Sequence, residues 1–446
     1  MNRTTRIALA ALLLHGINAQ ADQFHYSNIV IGERAMGLGG AFTAVADDAS
    51  AILYNPAGIG FALSNDLSGS ANAFYQRKVT YKKTIGNQDF EERSSGTLAP
   101  FFGGLQKLDN VLPGLAVAFG LYATDSELKD QNDLIENAGT LERFHRTANV
   151  RASTTGLGFA AAKRILSNLS VGIGASYLMI DELTQEYQDV KYKSSLSCVP
   201  VASATRADWP VCTGNAFLDQ VFLEQNTRDR LNTTAIELNL GAQLATGTWS
   251  YGLSAKIRKI ITDKLEYSVD SRTNEGTPET LNGVPHFAVA AQKAAFYDLE
   301  IEDPLKQMPT EIRAGTAWFP SASFMWSFDA IHNTSATSDR YKRLAVTNFA
   351  TGAEYYITPS IPIRAGFFTN YDARPEVQPE KVNQADHIDY LGYSLFGGWV
   401  QPNSQVAGGV ILQTGDGKAQ KKANDASIQT VEALSYTFAI SATHSF

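Results

Sequence analysis

The sequence predicts an all-β protein, a transmembrane antiparallel up-and-down β-barrel of about 14 strands with an N-terminal plug in its lumen. Residues 434–446 alternate between larger apolar and small, mostly hydroxylic side chains, which is the pattern of a strand with one apolar and one polar face. Similar segments recur along the chain. The gaps between them alternate between short and long, which is typical of a membrane barrel and not of a Greek-key sandwich.

Residues 1–21 have the pattern of a secretory signal peptide. Arg3 and Arg6 precede a short apolar run and a small-residue cleavage site. The alternative is a membrane-anchoring helix, which requires about 20 apolar residues, but His15 interrupts the run. The mature protein is predicted to begin near Asp22. Because no later apolar run reaches that length, passage through a membrane requires a barrel.

Residues 22–63 lack a sustained period of two and are predicted to form the plug. Asp47 or Asp48 can cap a short helix, and Pro56 disfavours a helical conformation at Asn55, so the helix ends there. A barrel of fourteen strands is wide enough to need filling or to conduct water. A compact segment of this length is therefore expected to fold into the lumen.

Residues 64–446 are predicted to form the barrel. Its predicted strands are 64–81, 96–106, 114–125, 150–165, 169–190, 231–246, 248–272, 309–320, 322–335, 345–357, 361–371, 389–400, 404–415 and 429–446. Every second gap is a short turn, for example 166–168, whereas 126–149, 191–230 and 273–308 are long. This rhythm predicts tight periplasmic turns and extended outer loops.

Within these segments the charged side chains are predicted to face the lumen. Ile236, Leu238 and Leu240 alternate with Glu237 and Asn239. A lipid-facing Arg or Lys at the membrane midplane costs about 2–4 kcal/mol, so charges are expected on the inner side. The formal net charge of -8 argues against a nucleic-acid partner, since such proteins are more usually basic.

Cys198 and Cys212 are the two cysteines of the chain. In an exported protein they are predicted to form a disulfide that closes a loop of about 15 residues and stabilises it by roughly 3 kcal/mol. The alternative is two free thiols. A metal site is not expected, because the segment between them contains no histidine.

The chain is predicted not to be an enzyme and to need no cofactor. The glycine cluster at 37–40 lacks the full dinucleotide fingerprint, and no Gly-x-Ser-x-Gly elbow occurs. An outer-membrane lipase stays open as an alternative, because catalytic groups need not be adjacent in sequence.

One combination of features resembles a known family. An export signal, a glycine-rich segment leading to Ala-Asp-Asp-Ala-Ser at 46–50, and then Asn55, Pro56 and Ala57 are similar to the FadL family of outer-membrane transporters for long-chain fatty acids and aromatic hydrocarbons. Later segments such as 308–315 are similar as well, and the resemblance covers most of the mature chain. It implies a monomeric barrel of fourteen strands with an N-terminal hatch, in the outer membrane of a Gram-negative-type bacterium.

The resemblance also implies a gap in the wall, through which the ligand leaves sideways into lipid. Family members form the gap by kinking the third strand inward. Gly120 is the position in this chain that permits such a bend, although many relatives have a proline where Ala118 stands here. Pro100 in the preceding segment is a second candidate, because proline withdraws a donor from the strand ladder.

Two groups of residues are predicted to act in the lumen. The plug and gating candidates are Asp47, Asp48, Asn55, Pro56 and Ala57, and the ligand-binding candidates are Phe24, Glu311, Arg313 and Arg364, with His25 beside Phe24. The arginines are expected to hold a carboxylate head group. For each residue a structural alternative exists: a helix end at Asn55, ion pairs among the inward charges, and a flexible N-terminal tail.

The predicted function is a passive, ligand-gated transporter whose partners are a hydrophobic small molecule and outer-membrane lipids. The alternative is a barrel that does not transport and serves as a scaffold or adhesin through its long loops, especially 191–230 and 273–308.

Overall fold

A computed structural model describes residues 24–85, 88–96, 101–136, 141–192, 197–199, 211–213, 222–274, 276–281, 284–289, 293–338, 341–382, 384–421 and 426–446. Fourteen antiparallel strands pair in sequence order, and the last also pairs with the first. The sheet is therefore closed, and the predicted antiparallel barrel of fourteen strands is confirmed. The signal-peptide residues lie outside the described residues.

The barrel strands are numbered here in chain order, and two of them consist of two parts. They are β1 (Asp66–Ile85), β2 (Gln88–Gly96 with Phe101–Lys107), β3 (Leu115–Glu136), β4 (Leu141–Leu166), β5 (Leu169–Tyr192), β6 (Phe222–Thr246), β7 (Trp249–Asn274), β8 (Lys293–Glu302 with Glu311–Ser321), β9 (Phe324–Asn333), β10 (Val346–Thr358), β11 (Ile361–Asn370), β12 (His387–Gln401), β13 (Ser404–Ala419) and β14 (Gln429–Ser445). Short hairpins lie at Ser197–Val199 with Val211–Thr213, at Gly276–Leu281 with Val284–Val289, and at Ala336–Thr337 with Lys342–Arg343.

The two faces of each strand differ as the alternation predicts. On β14, Leu434, Phe438 and Ile440 are exposed, whereas Ser435 and Ala439 are buried. Exposed apolar residues on the outside of a closed barrel form the band that contacts lipid, while small and polar residues face the lumen. The outer face is therefore suited to a membrane.

The wall is much taller on one side than on the other. Strands β3 to β7 have 22 to 26 residues, whereas β9 to β11 have 10 to 13. A strand crosses the membrane with about 9–11 residues, so β3 to β7 project beyond it at the end opposite the short turns.

This projection corrects the predicted long loops. Residues 126–136, 141–149, 222–230 and 293–302 belong to strands, and so does the missed first part of β2. Outside lipid both faces of a strand can be polar, so the apolar alternation used for prediction is absent there. The predicted short turns were correct: Leu166 is followed by β5 after two residues, and Thr246 is followed by β7 after two.

Residues 24–63, called the N-terminal segment below, lie inside the barrel. They contain helix α1 (Glu33–Gly37), helix α2 (Ala51–Tyr54) and a 3-10 helix (Pro56–Phe61). Neither of the described α-helices is long and apolar enough to cross a membrane. The segment contacts inward-facing residues on opposite sides of the wall: Ser250 of β7 donates to the Ala44 carbonyl at 2.7 Å, and Ser394 of β12 donates to the Gly37 carbonyl at 3.1 Å.

Candidate functional site: a cavity between the N-terminal segment and the wall

Inward-facing glycines let the N-terminal segment approach the wall at backbone distance. A Cβ atom at Gly352 would lie 2.6 Å from the Leu38 carbonyl oxygen, and one at Gly172 would lie 2.5 Å from the Ala57 nitrogen. Such distances are far below van der Waals contact. These positions therefore require glycine, and they fix the segment against β5 and β10 together.

Buried ion pairs hold the segment to strands β10 and β11. The Arg364 side chain has no solvent exposure, and it donates to Glu33 of α1 at 2.6 Å and to Glu354 of β10. Arg34 pairs with Asp47 at 2.7 Å and approaches Glu354 at 3.5 Å. These ion pairs match the structural alternative for Arg364, and its predicted ligand contact stays a prediction.

Asn55 connects the segment to the opposite part of the wall. Its side-chain nitrogen donates to the Thr43 carbonyl at 2.9 Å and to the Ala242 carbonyl of β6 at 3.1 Å, and its side-chain oxygen accepts from the Ala57 nitrogen. Its backbone is extended, with φ -154°, so α2 ends at Tyr54 as Pro56 predicts. A gating role of Asn55, Pro56 and Ala57 stays a prediction.

Neither Asp47 nor Asp48 is the residue that caps helix α2, which differs from the prediction. Helix α2 begins at Ala51, with Ser50 as its first flanking residue. The Asp48 carboxylate accepts from the backbone nitrogen of Ser50 at 2.8 Å and also from its hydroxyl. Burial raises the pKa of Asp48 to about 6, while the Ser50 hydroxyl acts in the opposite direction. Asp48 therefore shapes the turn before α2, whereas Asp47 pairs with Arg34, and the gating role of both stays a prediction.

A cavity of about 160 Å³ lies between the N-terminal segment and strands β3 to β8. Residues that contribute to its lining are Tyr54, Tyr122, Leu178, Glu237, Glu311, Arg313 and Arg343. The cavity thus combines aromatic and aliphatic surface with a cluster of charges. Of the predicted ligand candidates, Glu311 and Arg313 are brought together here.

The charges of the cavity are largely paired, but two guanidinium groups keep free donors. Arg313 donates from Nε to Glu311 at 2.7 Å and lies over the Tyr54 ring at 5.2 Å. Its Nη1 has no hydrogen-bond partner among the described residues, and neither does Nε of Arg343. Both side chains are buried. A buried donor without a partner costs free energy, so these groups can favour a polar or anionic atom in the cavity.

The chain just after the predicted cleavage site is well packed. Phe24 is buried against Tyr341 and lies under the Arg374 guanidinium at 4.2 Å. His25 donates to the Ile388 carbonyl at 2.7 Å and contributes to the cavity. The flexible-tail alternative is therefore wrong for these two residues. Phe24 is not among the residues that line the cavity, and its ligand contact stays a prediction.

Strands β2 and β3 keep one register beside the cavity. Strand β2 pairs with β3 from Lys107 to Phe101, which lies opposite Tyr122, and Ser95 lies opposite Leu128 in the same register. Gly120 lies in the paired part and shows no break in register. Pro100 lies outside the described residues. The gap in the wall that the family resemblance implies therefore stays a prediction.

Sequence reasoning missed Tyr122 and Arg343, because a lumen-facing tyrosine or arginine looks the same in sequence whether or not it borders a cavity. Cys198 and Cys212 occupy directly opposite positions on two short paired strands. Their disulfide stays a prediction. Among the described residues, no cluster of three or more His, Cys, Asp or Glu could hold a metal ion.

Three solved structures with this architecture are distant from the chain in sequence. No protein-family model matches the chain, and no curated protein does. A Pseudomonas aeruginosa FadL homologue is 12% identical, with 95% of this chain and 100% of that chain covered and a TM-score of 0.62. The P. putida toluene transporter TodX is 13% identical, with coverages of 93% and 98% and a TM-score of 0.59.

A third structure, the Ralstonia pickettii toluene transporter TbuX, is 12% identical, with coverages of 94% and 99% and a TM-score of 0.56. Together with the closed sheet, these likenesses define the class of this protein as an outer-membrane-type β-barrel. More particularly, its fold is FadL-like, which confirms at the level of fold the resemblance seen in the sequence.

Proposed function

We propose that this protein is an outer-membrane passive channel for hydrophobic molecules in which residues 22–63 act as a plug. The observation that carries the proposal is the cavity between the N-terminal segment and the wall, enclosed by a barrel whose outside is apolar. Solved structures of similar fold include a FadL homologue and toluene transporters. A ligand cavity against a plug supports selective passage and not a general pore.

The lining favours a cargo with an apolar body and one polar or acidic group. Tyr54, Tyr122 and Leu178 provide apolar surface. The free donors of Arg313 and Arg343 can bind a carboxylate, which guanidinium groups bind with strong charge-assisted hydrogen bonds. Long-chain fatty acids fit this chemistry better than plain hydrocarbons do. The cavity is small for a long chain, so the N-terminal segment must shift or the chain must extend past it.

The proposed exit is lateral, through the wall at β3. The cavity reaches Tyr122, Thr124 and Asp125 of β3, and the pairing of β3 with β4 shifts in register between Ala123 and Asp125. A hydrophobic molecule that leaves here enters lipid and avoids water.

Uptake by whole cells tests the proposal. Deleting residues 22–63 is expected to abolish selective uptake of a labelled fatty acid, and Arg313→Gln is expected to reduce it roughly tenfold, the effect of losing about 1.4 kcal/mol of binding. Arg151→Gln is the matched control, because Arg151 is exposed on the outer face of β4. Unchanged uptake in the deletion, without a general leak, would contradict the plug.

The scaffold or adhesin alternative has one supporting observation, the projection of β3 to β7 beyond the membrane. It predicts that shortening the connection between β5 and β6 removes a binding activity of the cell surface and leaves fatty-acid uptake intact. Loss of uptake in Arg313→Gln would argue against this alternative.

A further inference from the structure

The outer face of the barrel contains a large hollow near the short-turn end. Its volume is about 610 Å³, and its sides are formed by Leu67, Phe119, Phe159, Ile173, Leu238 and Phe446. Sites for small molecules usually measure about 300–1,000 Å³. This hollow therefore has the size of a binding site, although it lies on the opposite face of the wall from the cavity.

Small residues at outward positions create the hollow. Gly104, Phe119, Phe159, Ala175 and Leu238 lie opposite one another on β2 to β6. The Phe119 ring covers Gly104, where a Cβ atom would lie 2.8 Å from the ring. Gly104 has no side chain and Ala175 has only a methyl group. The outer surface is therefore recessed at these positions, and the neighbouring aromatic rings surround the recess. Ala161, next to this row on β4, extends the floor.

The position of the hollow identifies what can fill it. Phe159, Ile173 and Phe446 are more than half exposed, and they belong to the apolar outer band that contacts lipid. In a membrane, such a surface faces the acyl chains of lipids. The hollow lies at the short-turn end, because it borders the first residues of β1 and the last residue of the chain, whose nitrogen donates to the Asn65 carbonyl.

A cation stands at the edge of the hollow. Lys163 follows Ala161 by two residues on the same outward face, and its Nζ lies 3.2 Å from the Pro113 carbonyl in the turn between β2 and β3. Lysines at the end of a membrane-spanning segment extend their amine to the interface. There the ammonium group complements the phosphate of a lipid whose chain enters the hollow.

We propose that this hollow is a binding site for one acyl chain of a phospholipid from the leaflet at the short-turn end, with Lys163 beside its phosphate. The site is separate from the ligand cavity, which is lined by residues on the inner side of the wall. The inference therefore does not depend on the proposed transport function.

Native mass spectrometry of the protein purified from membranes, with added phosphatidylglycerol, tests the site. Ala175→Phe fills the floor, and Ala365→Phe on β11 is the control, because Ala365 is also exposed and faces outward. Wild type and the control are expected to retain one phospholipid. Retention by Ala175→Phe is expected to fall about tenfold, and Lys163→Gln is expected to lose the preference for an anionic head group.

Three outcomes would overturn the proposal. The first is equal phospholipid retention by Ala175→Phe and Ala365→Phe, both shown to be folded by circular dichroism. The second is the finding that the molecule bound in the hollow is a free fatty acid. The third is a parallel loss of fatty-acid uptake in Ala175→Phe, which would make the hollow part of the transport route. Unchanged uptake in Ala175→Phe together with lost phospholipid supports the proposal, whatever the result for Arg313→Gln.

Discussion

The two sides of the N-terminal segment are held by different forces. Toward β10 and β11 it is fixed by buried charges, with Arg364 paired to both Glu33 and Glu354. Toward β3 and β4 the Ile52 side chain rests on glycines, and a Cβ atom at Gly158 would lie 2.7 Å from its Cγ2. The cavity lies on this second side, so the segment can adjust to a ligand there without separating any of these ion pairs.

This difference explains why the two contacts should respond differently to mutation. Removing one member of a buried ion pair leaves its partner charged and without compensation, which is far more costly than losing a methyl group from an apolar contact. We therefore expect the side held by ion pairs to be rigid and the apolar side to tolerate substitution.

The largest expected effect is that of Arg364→Gln. It leaves Glu33 buried without its cation and leaves Glu354 with only the more distant Arg34, and we expect a loss of about 3–5 kcal/mol. Thermal unfolding in detergent and protease cleavage within residues 24–63 measure it. Arg151→Gln, on the exposed outer face, is expected to stay within about 0.5 kcal/mol of wild type. If Arg364→Gln and Arg151→Gln unfold at the same temperature, the ion pairs of Arg364 do not anchor the N-terminal segment.

An intermediate effect is expected for Asn55→Ala, which tests the hydrogen-bonded link to β6. The substitution leaves the buried carbonyl oxygens of Thr43 and Ala242 and the Ala57 nitrogen short of a partner. We expect a loss of about 1–3 kcal/mol, measured by the same unfolding assay. Asn149→Ala on the outer face of β4 is the control, and equal losses for both would remove Asn55 from the structural account.

The smallest effect is expected for Ile52→Val on the apolar side. The removed methyl group contacts the region of Gly120, where a Cβ atom would lie 3.4 Å from Ile52 Cδ1. We expect a loss of about 0.5–1.5 kcal/mol, with fatty-acid uptake maintained. A loss as large as that of Arg364→Gln would show that the two sides are equally rigid and would contradict the comparison.

The sequence predicted the barrel well because lipid imposes one strong rule, an apolar outer face. That rule located all fourteen strands where they cross the membrane. It failed for residues 126–136 and 222–230, which extend into water and can be polar on both faces. The rule stops applying where a strand leaves the membrane. No single residue shows how far along its strand it lies from that point.

The candidate site was less predictable. Arg313 and Arg364 look equivalent in sequence, since both are inward arginines that alternate with apolar residues. Each keeps one guanidinium nitrogen without a described partner. Their surroundings differ because Arg364 meets Glu33, which is 331 positions away, whereas Arg313 borders the cavity. Only the fold of the N-terminal segment across the lumen separates an anchor from a ligand candidate.

An experimental structure of the protein with a bound long-chain fatty acid would show whether the cavity takes this ligand. We expect an apolar chain against Tyr54 and Tyr122, with the carboxylate in hydrogen-bond range of Arg313 and the pair between Arg364 and Glu33 intact. A fatty acid found only outside the barrel, or one that binds inside after separating Arg364 from Glu33, would contradict this expectation.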